Sequence, residues 1–271
     1  MRVVEQFVEG KDPDQRRCED VIAITDTHVA IFDGSGGTGL GPKDTTGARF
    51  AATELARALS QLPADSTFTE AATFLSSRLD ERIRDTLGDV ARSERPAAVA
   101  VIYSEPNREI WRVGDPHLAI DGDIRPGSLS TGRAFSGFRS LNLNLLLLSE
   151  DATVSSLIAE DPTREDLENL VPRWHLLRNR DSETGWEFGA FDGTPIPARF
   201  LEVLPVPAGA SRVVLTSDGY PAPSPTLEEA EATITDLLAR DPLCIGTFQA
   251  EKGLRKGMLS FDDRAYVRLS V

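Results

Sequence analysis

A single aspartate stands where an apolar run of the sequence ends and a glycine-rich stretch begins. Residues 29–32 read Val-Ala-Ile-Phe, which predicts a β-strand, and Asp33, Gly34 and Ser35 follow directly, with glycines at 36–37 behind them. A hard divalent cation takes carboxylate and carbonyl oxygens together, and glycine leaves room for it beside the backbone. Asp-Gly is also a common turn dipeptide, so this motif alone favours a plain turn.

Four further acidic positions border apolar runs in the same way. They are Asp115 after the run 111–113, Asp218 after 213–216, Asp263 ahead of 265–269, and the pair Glu19-Asp20 ahead of 21–24. Each lies where a strand meets a loop, so one end of a β-sheet could gather them. Clustered carboxylates repel one another unless cations neutralise them. The whole set therefore indicates a divalent-cation site much more strongly than any single motif.

In their order along the chain, these motifs resemble those of the metal-dependent serine/threonine protein phosphatases of the PPM type (type 2C), in a divergent, bacterial-like form. The matching segments are Glu19-Asp20, Phe32-Asp33-Gly34-Ser35-Gly36-Gly37, Val113-Gly114-Asp115, Thr216-Ser217-Asp218-Gly219 and Asp263. The resemblance implies an α+β fold, a four-layer α-β-β-α sandwich of two antiparallel sheets flanked by helix pairs. It also implies one domain over residues 1–271, in which residues 124–184 form a divergent, flap-like segment.

The resemblance further implies a centre of two Mn²⁺ or Mg²⁺ ions with a looser third ion. The implied ligands are Glu19 (through water), Asp33 (bridging two ions), the Gly34 carbonyl, Asp115, Asp218 and Asp263, with Asp20 behind them. Asp33, Asp218 and Asp263 are the residues implied to be catalytic. In this interpretation a hydroxide between the ions attacks phosphorus and hydrolyses phosphoserine or phosphothreonine in a protein, without a phosphoenzyme.

Several positions depart from the family's pattern. Ser35 stands where animal members carry a histidine, and Arg264 stands where an asparagine follows the last aspartate. The family's Gly-Asp-Ser-Arg run ends in Pro116-His117 here, and residues 95–98 replace the usual start of a strand. None of these changes removes an implied metal ligand, so the departures concern the substrate side of the site.

The substrate phosphate has three candidate partners. The family's phosphate-binding arginine is replaced by Gln15, but Arg16 and Arg17 follow it, and His117 comes two residues after Asp115. A guanidinium group matches the geometry of phosphate, and a histidine beside the metal ligands could reach the substrate.

Composition limits the classes of partner. The net charge of −14 argues against a nucleic-acid partner, although bound cations would reverse the sign locally for a phosphorylated substrate. The two cysteines, Cys18 and Cys244, show no metal-binding or disulfide spacing. The sequence also shows no signal peptide and no segment of membrane-spanning length. We therefore expect a cytoplasmic protein without a membrane partner, whose substrate is a protein phosphorylated by a serine/threonine kinase.

Periodicity predicts the elements that carry these motifs. The predicted strands are 3–8, 21–25, 28–32, 97–103, 109–113, 117–120, 186–191, 200–204, 212–216 and 265–271. The predicted helices are 47–62, 67–91 (opened by the capping box Thr67-Phe68-Thr69-Glu70), two patches near 153–160 and 163–174, 226–240 and 245–251.

Two other motifs predict no chemistry. The glycine run 34–39 lacks the Gly-Lys-Ser/Thr ending of a phosphate-binding P-loop. Phe191-Asp192-Gly193 repeats the tripeptide of the first motif, but residues 194–197 indicate a turn, and the resemblance assigns no ligand there.

Three functions remain open on the sequence. The first is the metal-dependent protein phosphatase. The second is a catalytically weak or inactive relative that acts as a regulatory or binding module, which the departures at 95–98 and His117 favour. The third is a phosphatase of small molecules on the same scaffold.

Overall fold

The computed structural model describes residues 1–35 and 41–271 of the chain. Within these residues, ten strands form two antiparallel sheets, in the orders β1-β10-β9-β6-β7 and β2-β3-β4-β5-β8. The strands are β1 (Arg2–Glu9), β2 (Val21–Ile24), β3 (His28–Ser35), β4 (Ala97–Ser104), β5 (Glu109–Val113), β6 (His117–Ile120), β7 (Asp123–Arg125), β8 (Glu202–Pro205), β9 (Arg212–Thr216) and β10 (Arg264–Ser270). The glycines of the first motif at 36, 37 and 39 lie outside the described residues.

Strand β3 shows how alternating side chains build the layers. Val29 and Ile31 pack in the core between the two sheets, whereas Ala30 and Phe32 point the opposite way, against helices. All four side chains are fully buried, which explains why this run has no polar face. The strand pairs with β2 through the predicted hairpin and with β4 on its other side.

Helices α1 (Gly47–Leu59) and α2 (Phe68–Leu87) cover the outer face of the sheet that contains β3. The predicted capping box is confirmed, since the Thr67 side chain accepts the Glu70 N–H and the Glu70 carboxylate accepts the Thr67 N–H at 2.8 Å. Helix α2 is shorter than the predicted range 67–91, because Gly88 takes a φ of 78° and ends the helix.

The outer face of the other sheet is covered by α6 (Leu227–Arg240) and by the irregular segment 241–263. The prediction of a second helix over 245–251 is wrong. The Asp241 carboxylate accepts the backbone N–H groups of Ile245 and Gly246 at 2.9 and 2.7 Å, which holds this stretch in a turn. In the described part of the chain, the predicted pair of helices is therefore present on one face, and a helix with an irregular segment covers the other.

Residues 124–184 fold mainly into α3 (Ser130–Leu148), α4 (Val154–Ala159) and α5 (Thr163–Trp174). The two predicted helical patches are confirmed as α4 and α5, and the leucine-rich run 141–148 is the second half of α3.

The prediction of a strand over 186–191 is wrong. This stretch forms only isolated bridges, Phe188 with Arg178 and Phe191 with Ala98. The Asn179 side chain accepts the Ala190 N–H at 3.0 Å and donates to the Ala190 carbonyl at 2.7 Å. These two bonds replace those that a partner strand would make.

The layers run from α1 and α2 through the two sheets to α6, which confirms the predicted α+β sandwich. Among the described residues, no helix combines the length and the apolar character that crossing a bilayer requires.

Candidate metal centre

The predicted acids meet at one end of the sandwich, where strands of both sheets end. Asp33 lies near the end of β3, Asp115 lies in the turn between β5 and β6, and Asp218 follows β9. The pair Asp262-Asp263 directly precedes β10, which is hydrogen-bonded to β9. These acids line a cavity of about 360 Å³, together with the acids Glu19 and Glu251 and the bases Lys11, Arg164, Lys252 and Arg255.

Close packing explains the glycine in two of the Asp-Gly pairs. A Cβ atom on Gly219 would lie 1.8 Å from the backbone oxygen of Asp263, and a Cβ on Gly34 would lie 2.7 Å from the carbonyl carbon of Ala48 in α1. A side chain at either position would push apart the backbone segments that carry or support the acids.

Four carboxylates of the cavity make no ion pair with any residue in 1–35 or 41–271. We call them the unpaired acids; they are Asp33, Asp115, Asp218 and Glu251. Burial raises the pKa of each, and neighbouring carboxylates add to the rise, so that the pKa of Asp115 reaches about 8 and that of Glu251 about 7. A bound cation would relieve this excess of negative charge.

Asp20 lies behind these acids with an oxygen atom that is not satisfied. It is 3 % exposed, and its Oδ2 atom has no hydrogen-bond partner within the described ranges. Burial raises the pKa of Asp20, as do the charges of Asp263, Asp218 and Asp262. A carboxylate oxygen buried so deeply is costly unless a cation or water satisfies it.

Two lysines that no motif indicated contact the remaining acids. Lys11 Nζ lies 2.9 Å from Asp262, 3.0 Å from Asp263 and 3.7 Å from Glu19. Lys252 Nζ lies 2.7 Å from Asp262. We call Glu19, Asp262 and Asp263 the lysine-paired acids. Burial alone would lower the pKa of Lys11, but these three carboxylates raise it above its usual value, so Lys11 stays an ammonium ion.

The neighbours Asp262 and Asp263 have different surroundings. Asp263 is 4 % exposed and accepts the backbone N–H groups of Lys11 at 2.8 Å and Glu19 at 3.1 Å. The charge of Asp262, by contrast, acts on Asp33 and Asp218, and raises the pKa of both in addition to the effect of burial. The side chain of Asp262 contacts both lysines, whereas the predicted ligand Asp263 also ties two backbone segments together.

Two of the predicted phosphate-binding residues lie away from the cavity. The side chain of Arg16 is 90 % exposed and binds Asp14 through Nε and Nη2, both at 2.8 Å. The side chain of Arg17 is 69 % exposed and lies 3.2 Å from Asp12. Both guanidinium groups are therefore surface partners of acids in their own loop.

The side chain of His117, the third predicted phosphate-binding residue, forms a hydrogen bond within the fold. Its Nδ1 atom accepts the Gly127 N–H at 2.8 Å. Burial, with the charge of Arg112, lowers the pKa of His117 to about 4, so the ring is neutral at pH 7. Through Nδ1 the ring supports the loop after β7, and because it is uncharged it is a weaker partner for a phosphate than a guanidinium group.

Glu251 and Lys252 reach the cavity from the irregular segment 241–263, which α3 anchors. Arg139, 2 % exposed, donates from Nη1 to the Leu243 carbonyl at 2.6 Å and to the Ala250 carbonyl at 3.3 Å. No residue pattern near Lys252 predicts this placement. The one sequence signal is the rarity of lysine, since four of the 29 basic residues are lysines and two of these line the cavity.

The residues fit a divalent cation in one half of the cavity. The unpaired acids supply the carboxylate oxygens that hard cations prefer, and Asp20 leaves one more oxygen unsatisfied behind them. In the other half, the lysine-paired acids already contact ammonium groups. Among the described residues, no three His, Cys, Asp or Glu side chains already stand in a metal-holding arrangement, so a cation would have to draw the unpaired acids together.

The fold has counterparts among bacterial phosphatases. The serine/threonine phosphatase Stp1 from Staphylococcus aureus superposes with a TM-score of 0.53 at 12 % identity, over 100 % of this chain and 96 % of that one. A second bacterial serine phosphatase superposes with a TM-score of 0.51 at 11 % identity, over 98 % of this chain and 96 % of that one. No protein-family model matches the sequence, and neither does any curated protein.

At these identities the likeness shows the fold. The chain has the fold of the PPM-type serine/threonine phosphatases, so the resemblance drawn from the motifs is confirmed at that level.

Proposed function

We propose that the chain is a metal-dependent phosphatase that hydrolyses phosphoserine and phosphothreonine in proteins. The observation that carries the proposal is the group of unpaired acids, which converge on one cavity in a fold shared with serine/threonine phosphatases. In the reaction, a water oxygen bonds to phosphorus while the bond from phosphorus to the serine or threonine oxygen breaks. That oxygen takes up a proton, and inorganic phosphate is released.

Asp33, Asp115 and Asp218 would hold the cation, Mn²⁺ or Mg²⁺, with the Gly34 carbonyl beside Asp33. When bound, such an ion supplies a Lewis acid that activates water and neutralises charge on the phosphate. The resemblance implies two such ions and a looser third, with Glu19 and Asp263 as further ligands. Both of those residues are lysine-paired acids.

The substrate phosphate needs positive partners at the cavity, and two arginines are placed for this. Arg164 on α5 and Arg255 in segment 241–263 both line the cavity. Arg164 Nε also donates to Glu168, a further acid of the cavity, at 2.5 Å. Burial lowers the pKa of Arg255, and the nearby charge of Arg164 lowers it further. Two neighbouring guanidinium groups suit a phosphate, which accepts several N–H donors at once. We therefore assign phosphate binding to these two residues in place of Arg16, Arg17 and His117.

The partner we propose is a cytoplasmic protein phosphorylated by a serine/threonine kinase. The net charge of −14 disfavours nucleic acid and anionic membrane surfaces. A cation in the cavity, together with Arg164 and Arg255, would reverse the sign locally and admit a phosphate group.

Hydrolysis of p-nitrophenyl phosphate and of phosphothreonine peptides, with and without Mn²⁺, tests the proposal. We expect Asp33→Asn and Asp218→Asn to abolish Mn²⁺-dependent turnover. Asp181→Asn is the control, since Asp181 is an exposed acid outside the cavity and should keep full activity. A folded Asp33→Asn variant with full Mn²⁺-dependent activity would contradict the proposal. Faster hydrolysis of phosphorylated metabolites than of phosphopeptides would identify a small-molecule phosphatase instead.

A second candidate function is a catalytically weak or inactive regulatory module. The observation in its favour is that Lys11 and Lys252 already neutralise part of the acidic cluster without a metal. Such a module would hydrolyse neither substrate at any Mn²⁺ concentration, while still binding a phosphopeptide in a fluorescence-polarisation titration.

A further inference from the structure

The two halves of the cavity differ in what neutralises their acids. The lysine-paired acids Glu19, Asp262 and Asp263 contact the Lys11 ammonium at 3.7, 2.9 and 3.0 Å. The unpaired acids contact no base of the described chain closely enough for an ion pair. Asp262 and Asp263 therefore contact the Lys11 ammonium directly, whereas the unpaired acids make no direct contact of this kind within the described chain.

Lys11 is held in place by its backbone as well as by its side chain. Its N–H donates to Asp263 Oδ1 at 2.8 Å, and its carbonyl accepts the Leu259 N–H at 2.8 Å. The side chain is 23 % exposed, so little of it can move into solvent without breaking these contacts. An ammonium group is compact and carries three donors, which suits three surrounding carboxylates better than a planar guanidinium would.

We propose that the Lys11 ammonium takes the place of one divalent cation, so that the chain binds a single Mn²⁺ or Mg²⁺ ion, at the unpaired acids. Lys252 assists by sharing Asp262, at 2.7 Å. A second observation supports a ligand beside the unpaired acids. Asp20 is 3 % exposed, and its Oδ2 atom has no hydrogen-bond partner within the described ranges.

The inference rests on the cation site of the proposed function but not on turnover. It differs from the two ions that the resemblance implies, because a second ion would have to displace Lys11 from Asp262 and Asp263. Releasing a buried lysine from two carboxylates in order to bind a second ion is costly, so the second ion should bind much more weakly than the first.

Binding stoichiometry tests the inference on the full chain. Equilibrium dialysis against Mn²⁺, with the bound metal measured by mass spectrometry, would be applied to the wild type, Lys11→Met, Lys252→Met and Lys256→Met. Lys256 is exposed and outside the cavity, so Lys256→Met is the matched control. We expect one tightly bound ion per chain in the wild type and in Lys256→Met. In Lys11→Met we expect a second ion, bound at least tenfold more tightly than any second ion of the wild type.

Electron paramagnetic resonance of the Mn²⁺-loaded wild type gives a readout that needs no variant and no turnover. An isolated Mn²⁺ ion gives its hyperfine sextet, whereas two neighbouring ions give an exchange-coupled spectrum. This measurement decides the question even if Lys11→Met fails to fold.

Each outcome has a separate meaning. Two tight ions in the wild type, or a coupled spectrum, overturn the single-ion inference and leave the proposed phosphatase intact. A folded Lys11→Met variant that still binds only one ion also overturns it. No bound ion in the wild type overturns both the inference and the proposed metal-dependent function. One ion without any turnover supports the inference and favours the regulatory module.

Discussion

The tripeptide Phe-Asp-Gly occurs twice in this chain, and its two aspartates have opposite surroundings. Asp192 is fully buried and accepts hydrogen bonds from Arg178 Nε at 2.8 Å, Asn179 Nδ2 at 3.1 Å and Thr194 N and Oγ1 at 2.9 and 2.6 Å. Among the described residues no side chain donates to Asp33, and burial and the neighbouring charges of Asp20 and Asp218 raise its pKa.

This comparison shows that burial of an acid does not by itself indicate a functional site. At Asp192, the chain supplies a guanidinium group and further donors. The charge and the hydrogen-bonding capacity of the carboxylate are therefore satisfied, and the group stabilises the local fold. At Asp33, the chain supplies further carboxylates, so its negative charge is neutralised only when a cation binds. The informative property is therefore the absence of an internal partner among the described residues.

The largest expected effect is the loss of turnover when one of the unpaired acids is replaced. Asp218→Asn should lower Mn²⁺-dependent turnover about 10³-fold, or ~4 kcal/mol, because it removes a cation ligand. The same change should leave the metal-free protein at least as stable, since it removes charge repulsion. Steady-state kinetics and thermal unfolding in chelator measure the two effects. Loss of both activity and metal-free stability would mean that Asp218 is a structural residue like Asp192.

Removing the charged partner of Asp192 should have the opposite effect: stability should fall while metal binding is kept. Arg178→Met should lower the free energy of unfolding by about 3 kcal/mol, because it leaves Asp192 buried without its charged partner. Mn²⁺ affinity should not change. Urea unfolding and metal titration check both statements, and a stability loss below about 1 kcal/mol would show that Asp192 does not depend on the ion pair.

The stability gained on adding Mn²⁺ should also distinguish Asp33 from Asp192. At a Mn²⁺ concentration about 100 times the Kd, the wild type should gain ~2.7 kcal/mol of stability, which a chelator should reverse. Asp192→Asn, although less stable at the start, should gain the same amount. Asp33→Asn should gain almost nothing. An equal gain in Asp33→Asn would place the ion elsewhere in the molecule.

The smallest effect concerns the substrate side of the same site. Arg255→Met should raise KM for a phosphopeptide about tenfold, the loss expected for one charge-assisted hydrogen bond. Arg16→Met should change KM less than about twofold, because its guanidinium group is exposed and bound to Asp14. The reverse order of the two effects would restore the phosphate-binding role predicted for Arg16.

The acids at strand ends were predictable because their signal is local. A run such as 29–32, with an acid and a glycine after it, places a carboxylate at a sheet edge whatever the rest of the chain does. Asp33, Asp115 and Asp218 were all indicated in this way, and their cavity lies where the strands predicted it. Periodicity predicted most of the strands and helices, and the resemblance implied that they stack as an α+β sandwich.

The sequence by itself thus determined most of the strands, most of the helices and the aspartates at the edge of the sheets. Only the tertiary structure decided which charges those aspartates meet. Lys11 contacts Asp263, which lies far from it in the chain. Glu251 and Lys252 line the cavity from a segment that was wrongly predicted to be a helix. Arg16 and His117 form hydrogen bonds with residues near them in the sequence. The physical reason is range: side-chain periodicity acts over a few residues, whereas neutralisation of a buried carboxylate depends on whichever group the complete packing brings within about 3 Å of it.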